Sequence, residues 1–146
     1  MKPVQAYVEL KKRQQKELED FPIAYAFSNK QLEEALVKLG ADSAAECVTV
    51  FGHGDIVKRS DAPKLVDIMR RHTEEIRDAM RDEEFAEAAF LYEMDNHEYA
   101  INWSGDEDVL AAVCLDNKLL KEYGLKDAYR RATRAHMKNA VEWGMI

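Results

Sequence analysis

Hydrophobic residues recur every three or four positions along most of the chain, and this spacing predicts amphipathic helices. Several predicted helices also carry end signals. Ser28 and Gln31 form a capping box, Gly40 ends the same helix, and Pro63 lies in a first turn behind capping side chains. The predicted helices cover residues 3–20, 28–40, 60–80, 82–99, 104–115, 116–124 and 126–143.

Three shorter stretches have the composition or the period-two alternation of strands. In residues 21–27 bulky side chains alternate with alanine, while residues 47–51 and 55–58 are rich in β-branched or aromatic side chains. Gly52-His53-Gly54 separates the last two stretches, which predicts a β-hairpin whose turn needs positive φ. Because an isolated hairpin is only marginally stable, we expect the 21–27 strand to join it.

The predicted helix over residues 82–99 is apolar on more than one side, which is typical of a central, buried helix. We see no internal repeat and no flexible linker. The predicted fold is therefore α+β and predominantly α-helical. A small antiparallel sheet, a hairpin plus one strand, packs with a helical bundle in a single domain over residues 1–146.

Composition narrows the class of protein. The chain has 146 residues, of which only nine are Gly or Pro, so it is neither a disordered linker nor a collagen-like repeat. It holds no apolar run of about 18 residues, as a membrane span requires, and its N-terminus has no signal-peptide core. Cys47 and Cys114 lie 67 residues apart and have no metal or redox spacing. We expect a reduced cytoplasmic protein with no membrane contact.

Charge is unevenly distributed along the chain. Residues 61–116 carry a local net charge of −11, whereas residues 117–146 carry +4. The acidic stretch disfavours direct nucleic-acid binding and leaves open a protein partner that is basic or itself binds nucleic acid. It also fits an acidic nucleic-acid mimic. We interpret most of it as a solvated helix face, because Asp67 and Arg71 are spaced to pair along a helix.

The most suggestive cluster of chemical groups lies in residues 93–99. On a helix Glu93 and His97 share a face, where they could orient a general base or supply two metal ligands. A metal site would need a further ligand from His53, His72, His136 or another acidic residue, and the zinc-protease signature of two histidines four apart is missing. We therefore assign no catalytic residue, no metal ligand and no cofactor. The predicted binding surface comprises Glu93, Asn96, His97, Glu98 and Tyr99, with His53 from the hairpin.

Two further features have simple structural explanations. Gly52-His53-Gly54 could approach a phosphate through backbone amides, but the chain lacks the P-loop pattern and a strand follows. Cys47 precedes a predicted strand and Cys114 has apolar neighbours, which is typical of small buried side chains rather than of nucleophiles.

Three stretches, KKRQQKELEDFPIAYAFSNKQLEEALVKLG, FGHGDIVKRSDA and FLYEMDNHEYAI, resemble an uncharacterised family of small bacterial proteins. The patterns FPxxxAFSNKQ and YExxNHEY are the most specific parts of the resemblance. It implies a setting among accessory genes of conjugative elements and prophages. Where members of that family often have a run of glycines, this chain has Gly52-His53-Gly54-Asp55. The resemblance implies no reaction and no catalytic residue.

The function predicted from these observations is a non-enzymatic protein-interaction module. In a mobile-element setting it would be an accessory or host-modulating, anti-defence protein whose target is unknown. The alternatives are a small metal-dependent hydrolase or nucleotide-binding enzyme using Glu93 and His97, and an acidic nucleic-acid mimic. Whether the protein forms a homodimer stays open.

Overall fold

A computed structural model describes residues 1–97 and 105–144. Within these ranges the chain is predominantly α-helical, with a small antiparallel sheet, as predicted. The α-helices of the described residues are α1 Pro3–Asp20, α2 Asn29–Leu39, α3 Ala62–Met80, α4 Glu83–Asn96, α5 Gly105–Ala112, α6 Asn117–Glu122 and α7 Lys126–Glu142. The strands are β1 Ala24–Tyr25, β2 Cys47–Val48 and β3 Asp55–Lys58, and a short 3-10 helix, Ala44–Glu46, precedes β2.

The chain divides into two compact units. The helical unit comprises residues 1–12 and 73–146, and the sheet unit comprises residues 13–72. None of the helices within residues 1–97 and 105–144 has the length and apolar character needed to cross a membrane. The expectation of a single domain over residues 1–146 stays a prediction.

The three predicted strands form one sheet in the order β1-β3-β2, and both pairings are antiparallel. Ala24 pairs with Ile56, and Val48 pairs with Val57. Two strands are shorter than predicted. In the 21–27 stretch the strand covers only Ala24–Tyr25. Before it, Pro22 has no N–H for a ladder, and after it the Phe27 amide donates to the Gln31 side chain. The 47–51 stretch leaves the ladder after Val48, since the next backbone N–H groups turn toward the side chain of Asp55.

The alternation in β1 places alanine, not the bulky residues, on the buried side. Ala24 packs with Ala35 and Leu39 of α2. Tyr25 and Phe27 are 58% and 76% exposed. A methyl group allows the strand and α2 to approach closely, so the aromatic side of β1 is left at the surface.

The predicted helix ends of α2 are confirmed. The Ser28 hydroxyl accepts a hydrogen bond from the Gln31 amide, and Gly40 ends the helix with φ 70°. These groups satisfy amides and carbonyls that the helix itself leaves free. Asp82 and Asp116 cap α4 and α6 in the same way.

Helix α4 is the central element of the helical unit, as its apolar pattern predicted. Ala86, Ala89, Phe90 and Met94 are buried along it and pack with residues of α1, α3, α5 and α7. Helix α4 ends at Asn96 in the described part of the chain. The predicted continuation to residue 99, the Ser104 cap, and the predicted site residues Glu98 and Tyr99 lie outside the described residues.

Candidate functional site

Glu93 and His97 meet as the helical spacing predicted. The Nε2 atom of His97 lies 3.2 Å from Oε2 of Glu93, one turn earlier in the chain. The Glu93 side chain is 7% exposed and that of His97 is 43% exposed. The pair therefore joins a buried carboxylate to an imidazole that reaches solvent.

Tyr7 completes this group, and sequence reasoning missed it. Its hydroxyl donates a 2.9 Å hydrogen bond to Oε1 of Glu93, and its ring is fully buried. The ring packs edge-on against Phe85 and Tyr92, with centroids 5.8 and 5.6 Å away. Burial, together with the adjacent Glu93 carboxylate, holds the pKa of Tyr7 far above its ordinary value, so the hydroxyl keeps its proton. We call Tyr7, Glu93 and His97 the carboxylate cluster.

The polar surroundings of this cluster extend to α5. The Ala112 carbonyl accepts a hydrogen bond from the Lys11 ammonium at 3.2 Å. The Tyr7 hydroxyl, which donates its proton to Glu93, lies 3.5 Å from the same carbonyl. Both Glu93 oxygens thus face groups of the protein itself, and the tyrosine hydroxyl links α1 to α4 and α5. The arrangement orients and shields the carboxylate.

Two other histidines proposed as further ligands have carboxylate partners of their own. The Nδ1 atom of buried His136 lies 2.6 Å from Oδ1 of Asp95, and Nε2 of buried His72 lies 2.6 Å from Oε1 of Glu17. Across residues 1–97 and 105–144, no group of three or more His, Cys, Asp or Glu side chains is placed to hold a metal ion.

His53 and Asn96 are both exposed, but they belong to different units of the chain. Asn96 stands at the end of α4 beside His97, whereas His53 lies in the hairpin loop of the sheet unit. The His53 backbone N–H donates to Oδ1 of Asp55 at 3.2 Å. His53 thus serves the loop through its backbone.

Asp55 organises the hairpin loop, a role that its position after Gly54 did not reveal. Its buried carboxylate accepts hydrogen bonds from the Thr49 hydroxyl and from the amides of Val50, Phe51 and His53, at 2.8 to 3.2 Å. Burial raises the pKa of Asp55, but these hydrogen bonds outweigh burial and hold it well below its ordinary value. The predicted turn is confirmed, with Gly52 and Gly54 at φ 79° and 80°.

The sheet unit also has a surface groove between β1 and α2. Its volume is about 360 Å³, and its lining residues are Ala24, Tyr25, Phe27, Gln31, Glu34, Ala35 and Lys38. Strand β1 is an edge of the sheet, so one side of its backbone faces this groove. We call this surface the β1–α2 groove.

The chain belongs to the Family of unknown function (DUF7659), which matches residues 6–135. This match covers the carboxylate cluster and the β1–α2 groove. Comparison with curated proteins gave no match, and comparison with solved structures gave none either. The family description names no activity.

Proposed function

We propose that this protein is a non-enzymatic interaction module that binds another protein. The observation that carries the proposal is the β1–α2 groove, where Tyr25 and Phe27, the residues before and after Ala26, expose their aromatic rings. Exposed aromatic side chains are enriched at protein interfaces, because they bury a large area at a small cost in conformational entropy.

The carboxylate cluster supports the same proposal. Glu93 is buried, and its two oxygens are engaged by Tyr7 and His97. A group held in this way stabilises the packing of α1 on α4. The Asp55 carboxylate has the corresponding role in the hairpin loop, where backbone amides engage it.

The setting of the partner is a further part of this proposal. The resemblance to accessory proteins of bacterial mobile elements favours a host-modulating, anti-defence role, with a host protein as target. A cytoplasmic location agrees with Cys47 and Cys114, which are both free thiols. The excess of acidic side chains favours a basic target.

The test is capture of a partner followed by reconstitution. Tagged full-length protein is incubated with host lysate, captured proteins are identified, and the complex is rebuilt from purified components. We expect a complex of defined stoichiometry by sedimentation. If no partner forms such a complex while the purified protein turns over a small molecule, the protein is an enzyme and the proposal is wrong.

One second candidate is a metal-dependent hydrolase or nucleotide-binding enzyme that uses Glu93 and His97, whose side chains lie 3.2 Å apart. Elemental analysis of protein purified without chelator tests it. Stoichiometric zinc, iron or manganese that is lost in His97→Ala would support this candidate. Metal content that is unchanged in His97→Ala would place any metal elsewhere.

A further inference from the structure

We propose that the β1–α2 groove binds an extended peptide segment of the partner, carrying Lys or Arg, as an additional strand beside β1. This inference rests on the proposed function and names the chemistry of the partner. It follows from three properties of the groove: its open backbone groups, its aromatic side chains and its carboxylate.

The backbone of β1 has one open hydrogen-bonding position. The Ala26 amide donates to the Gly54 carbonyl at 2.9 Å, and Ala24 pairs with Ile56. Hydrogen bonding alternates along an antiparallel strand. The backbone N–H and C=O groups of Ala24 and Ala26 therefore point toward β3, and those of Tyr25 point toward the groove.

The outward-facing groups on either side of Tyr25 are already covered by α2. The Ile23 carbonyl accepts from the Lys38 ammonium at 3.3 Å, and the Phe27 amide donates to Oε1 of Gln31 at 2.7 Å. Tyr25 therefore presents one donor and one acceptor between two covered positions. That pattern matches the N–H and C=O of one residue in an added strand.

The side chains that line the groove determine which side chains of the bound peptide are favoured. Tyr25 of β1 and Phe27, two residues beyond it, both line the groove and offer ring surfaces to a bulky apolar group or to a cation. Glu34 and Lys38 both line the α2 wall, and the Lys38 ammonium keeps its charge but is directed to the Ile23 carbonyl, 3.3 Å away. The Glu34 carboxylate, together with the exposed Tyr25 and Phe27 rings, therefore favours a basic side chain away from the Ile23 end of the groove.

The experiment is selection from a displayed library of random twelve-residue peptides on the immobilised full chain. We expect enriched sequences with bulky apolar residues at alternate positions and Lys or Arg between them. In a synthetic copy, N-methylation of the residue opposite Tyr25 should weaken binding at least tenfold, while N-methylation of its two neighbours should be tolerated. This alternation is the signature of pairing along one strand edge.

Protein variants localise the site. Phe27→Ser should weaken peptide binding at least tenfold, whereas Val37→Ser should not, because Val37 is 82% exposed on α2 and lies outside the groove. Glu34→Gln should weaken binding and reduce its dependence on salt. Its neighbour Glu33 does not line the groove, so Glu33→Gln is the matched control.

Several results would overturn the inference. The first is a selection in which no peptide sequence is enriched. The second is enrichment of peptides with helical periodicity that bind the Phe27→Ser variant as tightly as the wild type and bind the Leu91→Ser variant more weakly. The second outcome would move the site to the groove of about 660 Å³ lined by residues of α1, α4 and α7. A chain that dimerises through β1, and becomes monomeric in Tyr25→Ser, would make a second copy the occupant. If a reconstituted partner binds the Phe27→Ser variant as tightly as the wild type, the proposed function holds, but the β1–α2 groove is not the binding surface.

Discussion

The hydroxyl of Tyr7 lies 2.9 Å from Oε1 of Glu93, although 86 positions separate the two residues in the chain. The contact joins the first helix to the central helix of the helical unit. Both residues are buried, and His97 holds the other carboxylate oxygen. This relationship makes Tyr7 a structural partner of the site that the sequence indicated at Glu93.

We expect Tyr7→Phe to lower the free energy of unfolding by about 1–3 kcal/mol, since a buried carboxylate loses a donor while ring packing is kept. Urea unfolding followed by circular dichroism measures the loss. Tyr92→Phe is the matched control, because the Tyr92 ring packs against Tyr7 and is only partly buried. Equal stability of Tyr7→Phe and wild type would mean that the hydrogen bond contributes nothing to folding.

Local pattern predicted the secondary elements well, because capping and periodicity depend on neighbours in the chain. It also predicted the Glu93–His97 pair, which is a spacing of four on one helix. It could not predict Tyr7 as the partner of Glu93, since hydrophobic periodicity identifies a buried face without saying which distant residue meets it. Similarly, the alternation in β1 defines two faces, but only packing against α2 decides that Ala24 is inside and Tyr25 outside.

Asp55 shows a different limit of sequence reasoning. Its position directly after Gly54 indicated only a residue of the predicted strand. In the structure the Asp55 carboxylate accepts hydrogen bonds from backbone amides of the loop that precedes it. These contacts depend on the path of the loop, which no spacing of residues in the sequence indicates.

We expect Asp55→Asn to lower the free energy of unfolding by about 3 kcal/mol, because an amide accepts fewer of the loop's hydrogen bonds and places its own donors against backbone N–H groups. Chemical denaturation at pH 7 measures the change. The control is Asp67→Asn, where an exposed ion pair with Arg70 is lost. We expect that change to cost less than about 1 kcal/mol. Similar losses in both variants would contradict the role given to Asp55.

Acid should destabilise the sheet unit through Asp55. Its pKa is lowered in the folded protein, so the carboxylate contributes stability above its unfolded pKa, near 3.8. That contribution is lost as pH falls below this value. Unfolding midpoints measured from pH 6 to pH 2 should therefore fall more steeply in the wild type than in Asp55→Asn. Parallel curves would show that Asp55 does not titrate differently in the folded state.

Glu17 should add a second acid-sensitive contact in the sheet unit. Hydrogen bonds from Arg71 and then His72, at 2.5 and 2.6 Å, lower the pKa of Glu17 from 4.5 to about 2. Its contribution is present above pH 4.5 and is lost as pH falls toward 2. Glu17→Gln should flatten this part of the stability profile, whereas Glu19→Gln, on the same helix, should leave it unchanged.

Substitutions at Gly52 and Gly54 distinguish an effect of backbone strain from an effect on the position of the Phe27 ring. Both have positive φ, so Gly52→Ala and Gly54→Ala should each lower the free energy of unfolding by about 1–2 kcal/mol. A Cβ at Gly52 meets no atom within 4 Å, whereas one at Gly54 would lie 2.4 Å from the Phe27 ring. Only Gly54→Ala should therefore displace this exposed ring, and NMR shifts of the Phe27 ring protons report the displacement. If Phe27 shifts equally in both variants, the ring responds to loop strain in general, and Gly54 has no specific part in positioning the aromatic surface of the β1–α2 groove.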